Sequence, residues 1–432
     1  MCGKLFCEHS SHSEIIIMGK LALRVLYRNR DLNLNARNRD LANSNEAGRI
    51  TQEDVVCSDT HKMKTYKNLY PKLCSYKNLE LAFRKASKGK KSMFYVKEFE
   101  KDLQKTLQEL KEIIERETYI PSPLTKFTIR DPKTRLIRKS IFKDRIVHHC
   151  IVNILEPIYE KIFIPDNYAN RVNKGTISAI LKFDEYKRKV SRNGNLVPHA
   201  LTNNMVRGYV LKADIKKFFD SVDQGKLLEI LRRKIKDEKV IWLITKILKN
   251  FDNKSKGMPL GNMTSQFFAN VYLNNLDYFI KRRLNMKYYI RYVDDFVILH
   301  ENNKFLEDCK IKIEKYLMNL RLELHKDKSK IFPMYKGVNF LGFKIFYHYK
   351  LARKRNVIQF LKRLKKLENM YCNGEISREK VVESVEGWFA YVMWGNTFKL
   401  RGKLAEDVKK ILSKNVRFYR HPKFERQSTL NF

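Results

Sequence analysis

Three aspartates in two stretches of the sequence have the spacing of a metal-dependent catalytic site. Asp294 and Asp295 are adjacent, and runs rich in aromatic and β-branched residues flank them, which predicts a tight β-hairpin with both acids at its tip. An isolated pair of this kind is common in solvated turns and would indicate no chemistry. Between buried apolar strands, however, two like charges require a positive neutraliser, and Mg²⁺ is the natural one.

The third aspartate, Asp214, gives this pair a chemical context. It ends an apolar, strand-like run that begins at Tyr209, and a helix-like run follows, so its carboxylate can face the hairpin tip. Three carboxylates on neighbouring strands suit a two-metal site, in which one ion activates an attacking hydroxyl and the other steadies a leaving pyrophosphate. We therefore predict two Mg²⁺ ions, with Mn²⁺ able to substitute, at Asp214, Asp294 and Asp295.

The order of these motifs resembles the palm of reverse transcriptases. The resemblance rests on residues 292–295 (Tyr-Val-Asp-Asp), on Asp214 upstream and on residues 337–342 (Gly-Val-Asn-Phe-Leu-Gly) downstream. It implies an α+β, right-hand polymerase fold with fingers, palm and thumb. The implied divisions are an N-terminal extension (1–62), helices and fingers (63–209), a palm interleaved with the fingers (210–345), and a helical thumb (346–432).

The charge of the chain indicates a polyanionic partner. Its 432 residues include 88 Lys and Arg against 47 Asp and Glu, a formal net charge of +41. Nucleic acid is favoured over a membrane surface, because the basic residues are spread along the whole chain and aromatics make up 12% of it. No apolar run is long enough to span a bilayer, so we expect no membrane partner.

The cysteines indicate a reducing compartment. The seven of them are mostly far apart and show no disulfide framework, which favours a cytoplasmic protein. Cys2, Cys7, His9 and His12 cluster, but the second pair follows the first too closely to resemble a zinc finger. The resemblance implies a prokaryotic or phage-encoded protein. Residues 1–62 show no clear periodicity and are expected to be poorly ordered.

A basic hairpin is predicted over residues 127–138, where two strand-like runs flank an Asp-Pro-Lys turn. Spacing alone is equally consistent with a solvated hairpin. The resemblance implies that this fingers hairpin closes over the incoming nucleotide and that Lys133 and Arg135 hold the triphosphate. Arg145 and Arg171 have two open interpretations, which are contact with the template backbone and bracing of the fingers.

The resemblance assigns further roles within the palm. The backbone carbonyl of Ile215 would complete the shell of the nucleotide-bound metal. Phe219 has the offset of an aromatic steric gate that excludes a 2′-hydroxyl, although a core phenylalanine is the alternative. Lys328 matches a lysine that protonates the leaving pyrophosphate, although a surface lysine is the alternative. The primer grip, which positions the primer 3′ end, corresponds to Phe340, Leu341 and Gly342.

The segment 257–270 departs from the usual pattern of the family. Gly257 and Gly261 allow tight turns beside a ligand, and the incoming nucleotide is expected to contact Leu260 and Gly261. Most reverse transcriptases have Gln where this chain has Leu260. Together with Ser265 and Gln266, this change resembles the reverse transcriptases of diversity-generating retroelements, within the group II intron-like and retron-type family. Losing a polar contact to the nucleotide should reduce fidelity, and the resemblance implies errors at template adenines.

The predicted function is therefore RNA-directed DNA polymerisation that copies an element-encoded template RNA to diversify a target gene. The implied partners are the template RNA, the RNA/cDNA duplex, deoxynucleoside triphosphates and a small, basic, helical accessory protein. Two alternatives stay open. One is a retron-like or phage-defence reverse transcriptase, and the other is an RNA-binding maturase whose polymerase fold mainly stabilises a folded RNA.

Other segments have structural predictions only. Apolar residues at helical spacing from Val357 to about Leu412 predict helices, with a break at Asn373 and Gly374. The basic stretch from Asp184 to Arg207 is predicted to be a loop or small insertion. The histidines at 148 and 149 and the tryptophans at 388 and 394 are interpreted as packing residues.

Overall fold

The computed structural model describes residues 64–130, 134–199, 203–251 and 255–413, and these contain both helices and strands. The predictions for residues 1–62, with their Cys and His cluster, and for Lys133 lie outside the described residues. Two compact units are present, a larger one of Lys62–Gln359 with Trp394–Thr397 and a smaller one that includes Phe360–Met393. None of the described helices has the length and apolarity needed to cross a membrane.

The larger unit starts with four helices that bury one face. Leu107, Leu110 and Ile114 recur at helical spacing and are completely buried, so this helix packs one face against the core. Ser75 caps the second helix, because its side chain accepts a hydrogen bond from the backbone of Asn78. The helices are α1 (Tyr70–Cys74), α2 (Tyr76–Ser87), α3 (Phe94–Lys101) and α4 (Leu103–Glu115).

A basic hairpin and two long helices follow, and one prediction here was wrong. Of the two interpretations of Asp184 to Arg207, the loop is wrong, since the stretch holds the end of a helix and a second hairpin. Phe183, Tyr186 and Val190 recur at helical spacing and are buried, a pattern that the intervening Lys and Arg residues concealed. The elements are β1 (Thr125–Ile129), β2 (Arg135–Lys139), α5 (Phe142–Tyr159), α6 (Thr176–Val190), β3 (Leu196–His199) and β4 (Asn203–Val206).

A four-stranded antiparallel sheet forms the centre of the larger unit. One of its two inner strands ends at Asp214 and buries Val210, Leu211 and Ala213 completely. The elements are β5 (Tyr209–Asp214), α7 (Phe218–Ser221), α8 (Gln224–Lys234), α9 (Glu238–Lys249), α10 (Met263–Tyr278), β6 (Tyr289–Tyr292), β7 (Asp295–His300), α11 (Asn303–Asn319) and β8 (Lys330–Pro333). The strand order is β6-β7-β5-β8, so β6 lies at one edge.

A small three-stranded sheet follows, with the order β11-β10-β9. Its strands are β9 (Val338–Phe340), β10 (Phe343–Ile345) and β11 (Lys350–Ala352). The turn between β9 and β10 consists of Leu341 and Gly342, whose φ angles are +44° and +91°. Two successive positive φ angles match the twist of a tight hairpin, which is why a glycine is favoured there.

The smaller unit is helical, as predicted for the C-terminal region. It contains most of α12 (Lys354–Cys372), together with α13 (Arg378–Val392) and α14 (Phe398–Leu412). Trp388 packs against the buried core of this unit and stacks on Phe360, with ring centroids 4.0 Å apart. The predicted break after α12 is confirmed, since Gly374 has a φ of +74° that ends the helix.

Candidate active site

The three predicted aspartates converge at one corner of the central sheet. Asp214 is the last residue of β5 and lies directly opposite Asp295, the first residue of β7. Asp294 lies in the two-residue turn between β6 and β7, and its carbonyl accepts a hydrogen bond from the Ile215 amide at 3.1 Å. The predicted hairpin and the predicted proximity of Asp214 are therefore confirmed as features of the fold, but the turn consists of Val293 and Asp294, and Asp295 is the first residue of a strand instead of lying at the tip.

The main chain of Asp214 is fixed from its other side. Its amide donates to the Ser329 hydroxyl at 3.2 Å, and its carbonyl accepts from the His325 amide at 2.8 Å. These contacts come from the segment that precedes β8. The carboxylate of Asp214 is thereby held on a rigid strand end, which favours a defined binding geometry.

The local environment disfavours negative charge on the two hairpin acids. Burial, followed by repulsion from Asp214, raises the pKa of Asp294. Burial also raises the pKa of Asp295 to about 6, against the attraction of Lys212. One oxygen of Asp295, Oδ1, is buried and has no hydrogen-bond partner among the described residues. A positive ligand at this corner would relieve both the repulsion and the unsatisfied oxygen.

Two lysines neutralise the corner in part. Lys328 Nζ lies 3.1 and 3.2 Å from the two carboxylate oxygens of Asp214, so the residue predicted as a proton donor reaches the site. Lys212 Nζ lies 3.5 Å from Asp295 Oδ2. Lys212 was not among the predicted site residues. Its position could have been inferred, because residues two apart on a strand share a face and Lys212 therefore lies on the face of Asp214.

The three carboxylates fit a divalent cation whose ligands come partly from the protein and partly from a bound substrate. Within the described ranges, no group of three or more His, Cys, Asp or Glu side chains forms a ready-made metal site. Mg²⁺ in polymerase-type sites is bound by one or two carboxylates and by substrate phosphates, so a complete protein cage is not required. Asp214 and Asp294, together with the unsatisfied oxygen of Asp295, meet that requirement.

The basic hairpin contacts the loop that contains Leu260 and Gly261. The Arg138 amide donates to the Leu260 carbonyl at 3.3 Å, and the Ser140 amide donates to Asn262 Oδ1 at 3.1 Å. Gly261 has a φ of +114°, and a Cβ there would lie 3.0 Å from Ile137 Cγ2. A glycine is therefore required by both the backbone conformation and the close approach.

Arg135 at the start of β2 acts on the acidic corner. Its positive charge is one of the influences that oppose the rise in the pKa of Asp294. Arg135 belongs to the hairpin where a triphosphate ligand was predicted, and its charge acts on Asp294.

Phe218 and Phe219 have different environments. Phe218 is 1% exposed and lies in the core, while Phe219 is only partly buried, with ring centroids 5.3 Å apart. The Phe219 carbonyl accepts from the Met258 amide at 2.7 Å, which connects it to the loop before Leu260. Phe218 is therefore a core residue, whereas the Phe219 ring is partly buried beside this loop.

The predicted primer-grip residues lie in a separate hairpin. Phe340 is buried and packs on Phe183 of α6, with ring centroids 5.7 Å apart. Leu341 and Gly342 form the turn between β9 and β10. This hairpin belongs to the small sheet and not to the central one.

The two fingers arginines with open interpretations bond within the protein. Arg171 donates to Glu160 at 2.6 Å and to the carbonyls of Ile164 and Asn167, and its side chain is 7% exposed. Arg145 Nε donates to the Ser140 carbonyl at 2.9 Å. These contacts favour bracing over template contact for Arg171.

Similarity to known proteins is present in both sequence and fold. A family model described as "Reverse transcriptase (RNA-dependent DNA polymerase)" matches residues 125–345. This match supports the predicted right-hand polymerase fold class. The described chain also resembles a solved structure of apo telomerase from Candida tropicalis, with a TM-score of 0.41 and 13% identity over 68% of this chain and 62% of that chain.

Two curated proteins show the extent of the sequence similarity. Protein YkfC of Escherichia coli (strain K12) is 26% identical over 286 residues, which are 56% of this chain and 67% of that protein. Group II intron-encoded protein LtrA of Lactococcus lactis subsp. cremoris is 24% identical over 352 residues, which are 64% of this chain and 54% of that protein. The chain therefore spans about half the length of the second relative.

Proposed function

Because the chain belongs to the reverse transcriptase family, we propose that it is an RNA-directed DNA polymerase. The observation that carries this proposal is the convergence of Asp214, Asp294 and Asp295 at one corner of the sheet. These carboxylates, with the backbone carbonyl of Ile215, would hold Mg²⁺. The chemistry that bound Mg²⁺ supplies is activation of a primer 3′-hydroxyl and stabilisation of the leaving pyrophosphate.

The other residues around the corner then have distinct tasks. Arg135, with Lys133, binds the triphosphate of the incoming deoxynucleotide, in keeping with its electrostatic influence on Asp294. Phe219 packs under the sugar and excludes a 2′-hydroxyl. Lys328 donates a proton to the leaving pyrophosphate. The primer 3′ end is positioned by Phe340, Leu341 and Gly342.

The positive charge of the chain favours nucleic acids as partners. With a formal net charge of +41, the chain attracts a template RNA and the RNA/cDNA duplex that it makes. The substrates are deoxynucleoside triphosphates.

Within this function we propose that synthesis is error-prone and serves diversification of a target gene. Leu260 is half-buried and its carbonyl accepts from the Arg138 amide, and its apolar side chain has no group that could hydrogen-bond to a nucleotide. A glutamine here would add about one hydrogen bond, worth ~1 kcal/mol or about fivefold in discrimination. Because the chain resembles the diversity-generating type, we also propose that it binds a small, basic, helical accessory protein.

The test is primer extension on a defined RNA template with Mg²⁺ and deoxynucleotides, followed by cDNA sequencing of the parent chain and of Leu260→Gln. Errors that cluster at template adenines and fall about fivefold in the variant would support diversification. Accurate cDNA from both would remove the mutagenic role and favour a retron-like or phage-defence enzyme. The Asp294→Ala variant, as the matched control, should make no cDNA.

A second candidate function is an RNA-binding maturase. It is favoured by the similarity over 352 residues to LtrA, a group II intron-encoded protein. Replacing both Asp294 and Asp295 with Ala separates the two functions. The maturase is favoured if the variant still binds and stabilises a folded RNA and if the parent chain makes no cDNA from any template. Loss of cDNA synthesis alone, from an active parent, favours the polymerase.

A further inference from the structure

A completely buried ion pair lies directly behind the catalytic turn. Arg291 and Asp277 are both 0% exposed, and two hydrogen bonds of 2.6 and 2.7 Å join the guanidinium to the carboxylate. The Tyr289 hydroxyl donates to the same carboxylate at 2.7 Å. A buried ion pair is often no more stabilising than well-packed apolar side chains of similar volume. Stability alone is therefore a weak reason for its presence.

The side chain of Arg291 also reaches the turn that carries Asp294. Its Nη1 donates to the Val293 carbonyl at 3.1 Å and to Asn270 Oδ1 at 3.2 Å. Val293 has a φ of +57°, a conformation that β-branched residues rarely adopt. The turn is therefore held in a conformation that its own residue disfavours, and the guanidinium bonds to its carbonyl.

The backbone of Arg291 is fixed as well. Its amide donates to the Asp166 carbonyl at 3.0 Å, and its carbonyl accepts from the Tyr168 amide at 2.9 Å. The carboxylate of Asp166 is paired with Lys281 Nζ at 2.5 Å, and Lys281 lies in a π-helical turn after α10. These bonds cover the outer edge of β6, so neither the backbone nor the side chain of Arg291 is free to shift.

We propose, on the basis of the polymerase function above, that Arg291 is a positioning residue. Anchored by Asp277, it holds the Val293 carbonyl and so fixes the Asp294 carboxylate for metal binding. An arginine is required because its planar fork contacts the carboxylate and the carbonyl at once, whereas a lysine ammonium is a single point charge. Loss of this support should weaken divalent metal binding by ~10- to 100-fold, as for other residues that orient metal ligands.

The experiment separates positioning from stability. The Asp277→Leu, Arg291→Met double variant replaces both charges with apolar side chains, so its melting temperature should fall less than that of Arg291→Met alone, which leaves the Asp277 carboxylate buried and unpaired. Its Mn²⁺ affinity, measured by electron paramagnetic resonance on the full chain, should fall by ~10-fold or more. Arg291→Lys should show the same fall. Tyr289→Phe, which leaves the bond to Val293 intact, should keep the parental affinity and serves as the control.

Parental Mn²⁺ affinity in a folded double variant or in Arg291→Lys would overturn the positioning role. If the double variant does not fold, Arg291→Lys alone decides by the same titration. If neither folds, the pair serves stability and the positioning role is rejected. A parent that makes no cDNA, but whose Mn²⁺ affinity still depends on Arg291, would reject the polymerase function while supporting the positioning role.

Discussion

Replacing Lys328 with Ala should strengthen metal binding while it slows DNA synthesis. Lys328 Nζ lies 3.1 and 3.2 Å from the two oxygens of Asp214, so a metal ion that binds this carboxylate competes with the ammonium. The Lys328 side chain is 37% exposed, and solvent screening limits such a pair to about 0.2–1 kcal/mol. Removing it should therefore raise Mn²⁺ affinity by about 1.4- to 5-fold.

The rate of nucleotide addition should change in the opposite direction. If Lys328 protonates the leaving pyrophosphate, its loss lowers this rate by ~10²- to 10⁴-fold. Lys328→Arg is the matched control, because a guanidinium keeps the pair with Asp214 but does not release a proton. This variant should keep the parental metal affinity and share the slow rate.

Two assays decide between these expectations. Single-turnover primer extension at saturating Mg²⁺ gives the rate of addition, and paramagnetic titration of Mn²⁺ gives the affinity. Equal rates for the parent and Lys328→Ala would refute the proton-donor role. Unchanged or weaker Mn²⁺ affinity in Lys328→Ala would show that the ammonium does not compete with the metal.

Three further predictions concern pH, stability and the hairpin contact. Because burial raises the pKa of Asp295 to about 6, activity at subsaturating Mg²⁺ should fall as pH drops through that value, and Lys212→Met should move the fall to higher pH in a pH–rate profile. Burial lowers the pKa of His148 to about 3, below an unfolded value of about 6.5, so this residue's contribution to stability is present above pH 6.5 and lost below it. The loss should reach about 2 kcal/mol by pH 5 and be absent in His148→Gln, as measured by urea unfolding. Gly261→Ala should raise the KM for deoxynucleotides by ~5-fold or more in steady-state primer extension, because its Cβ would lie 3.0 Å from Ile137 and its backbone would be strained; an unchanged KM would contradict the close contact.

The carboxylate corner was predictable because its signals are local. Runs rich in aromatic and β-branched residues on both sides of Asp294 and Asp295 indicate a hairpin, and the apolar run before Asp214 indicates a neighbouring strand. Turn and helix-break signals at Gly342 and Gly374 were equally local, since each glycine adopts a positive φ. Features of this kind require no knowledge of which distant segments meet.

The residues that support the corner could not be predicted in the same way. Arg291 and Asp277 lie on different elements, and in a chain with 88 Lys and Arg nothing in the sequence marks one arginine as completely buried. Lys212 pairs with Asp295 only because β5 and β7 align Asp214 opposite Asp295. Register and burial are tertiary properties, so they override what residue type alone suggests.

The corner formed by the three carboxylates contains two unfavourable features that the surrounding structure maintains. Burial raises the pKa values of Asp294 and Asp295, and the φ of Val293 is +57°. The acids would lose their repulsion by moving apart, and Val293 would return to an extended conformation. The buried pair behind β6 and the bonds to the main chain of Asp214 oppose both movements, because a close-packed interior does not deform gradually. A rigid corner with excess negative charge binds a divalent cation without reorganisation, so the features that destabilise the metal-free corner are those that favour metal binding.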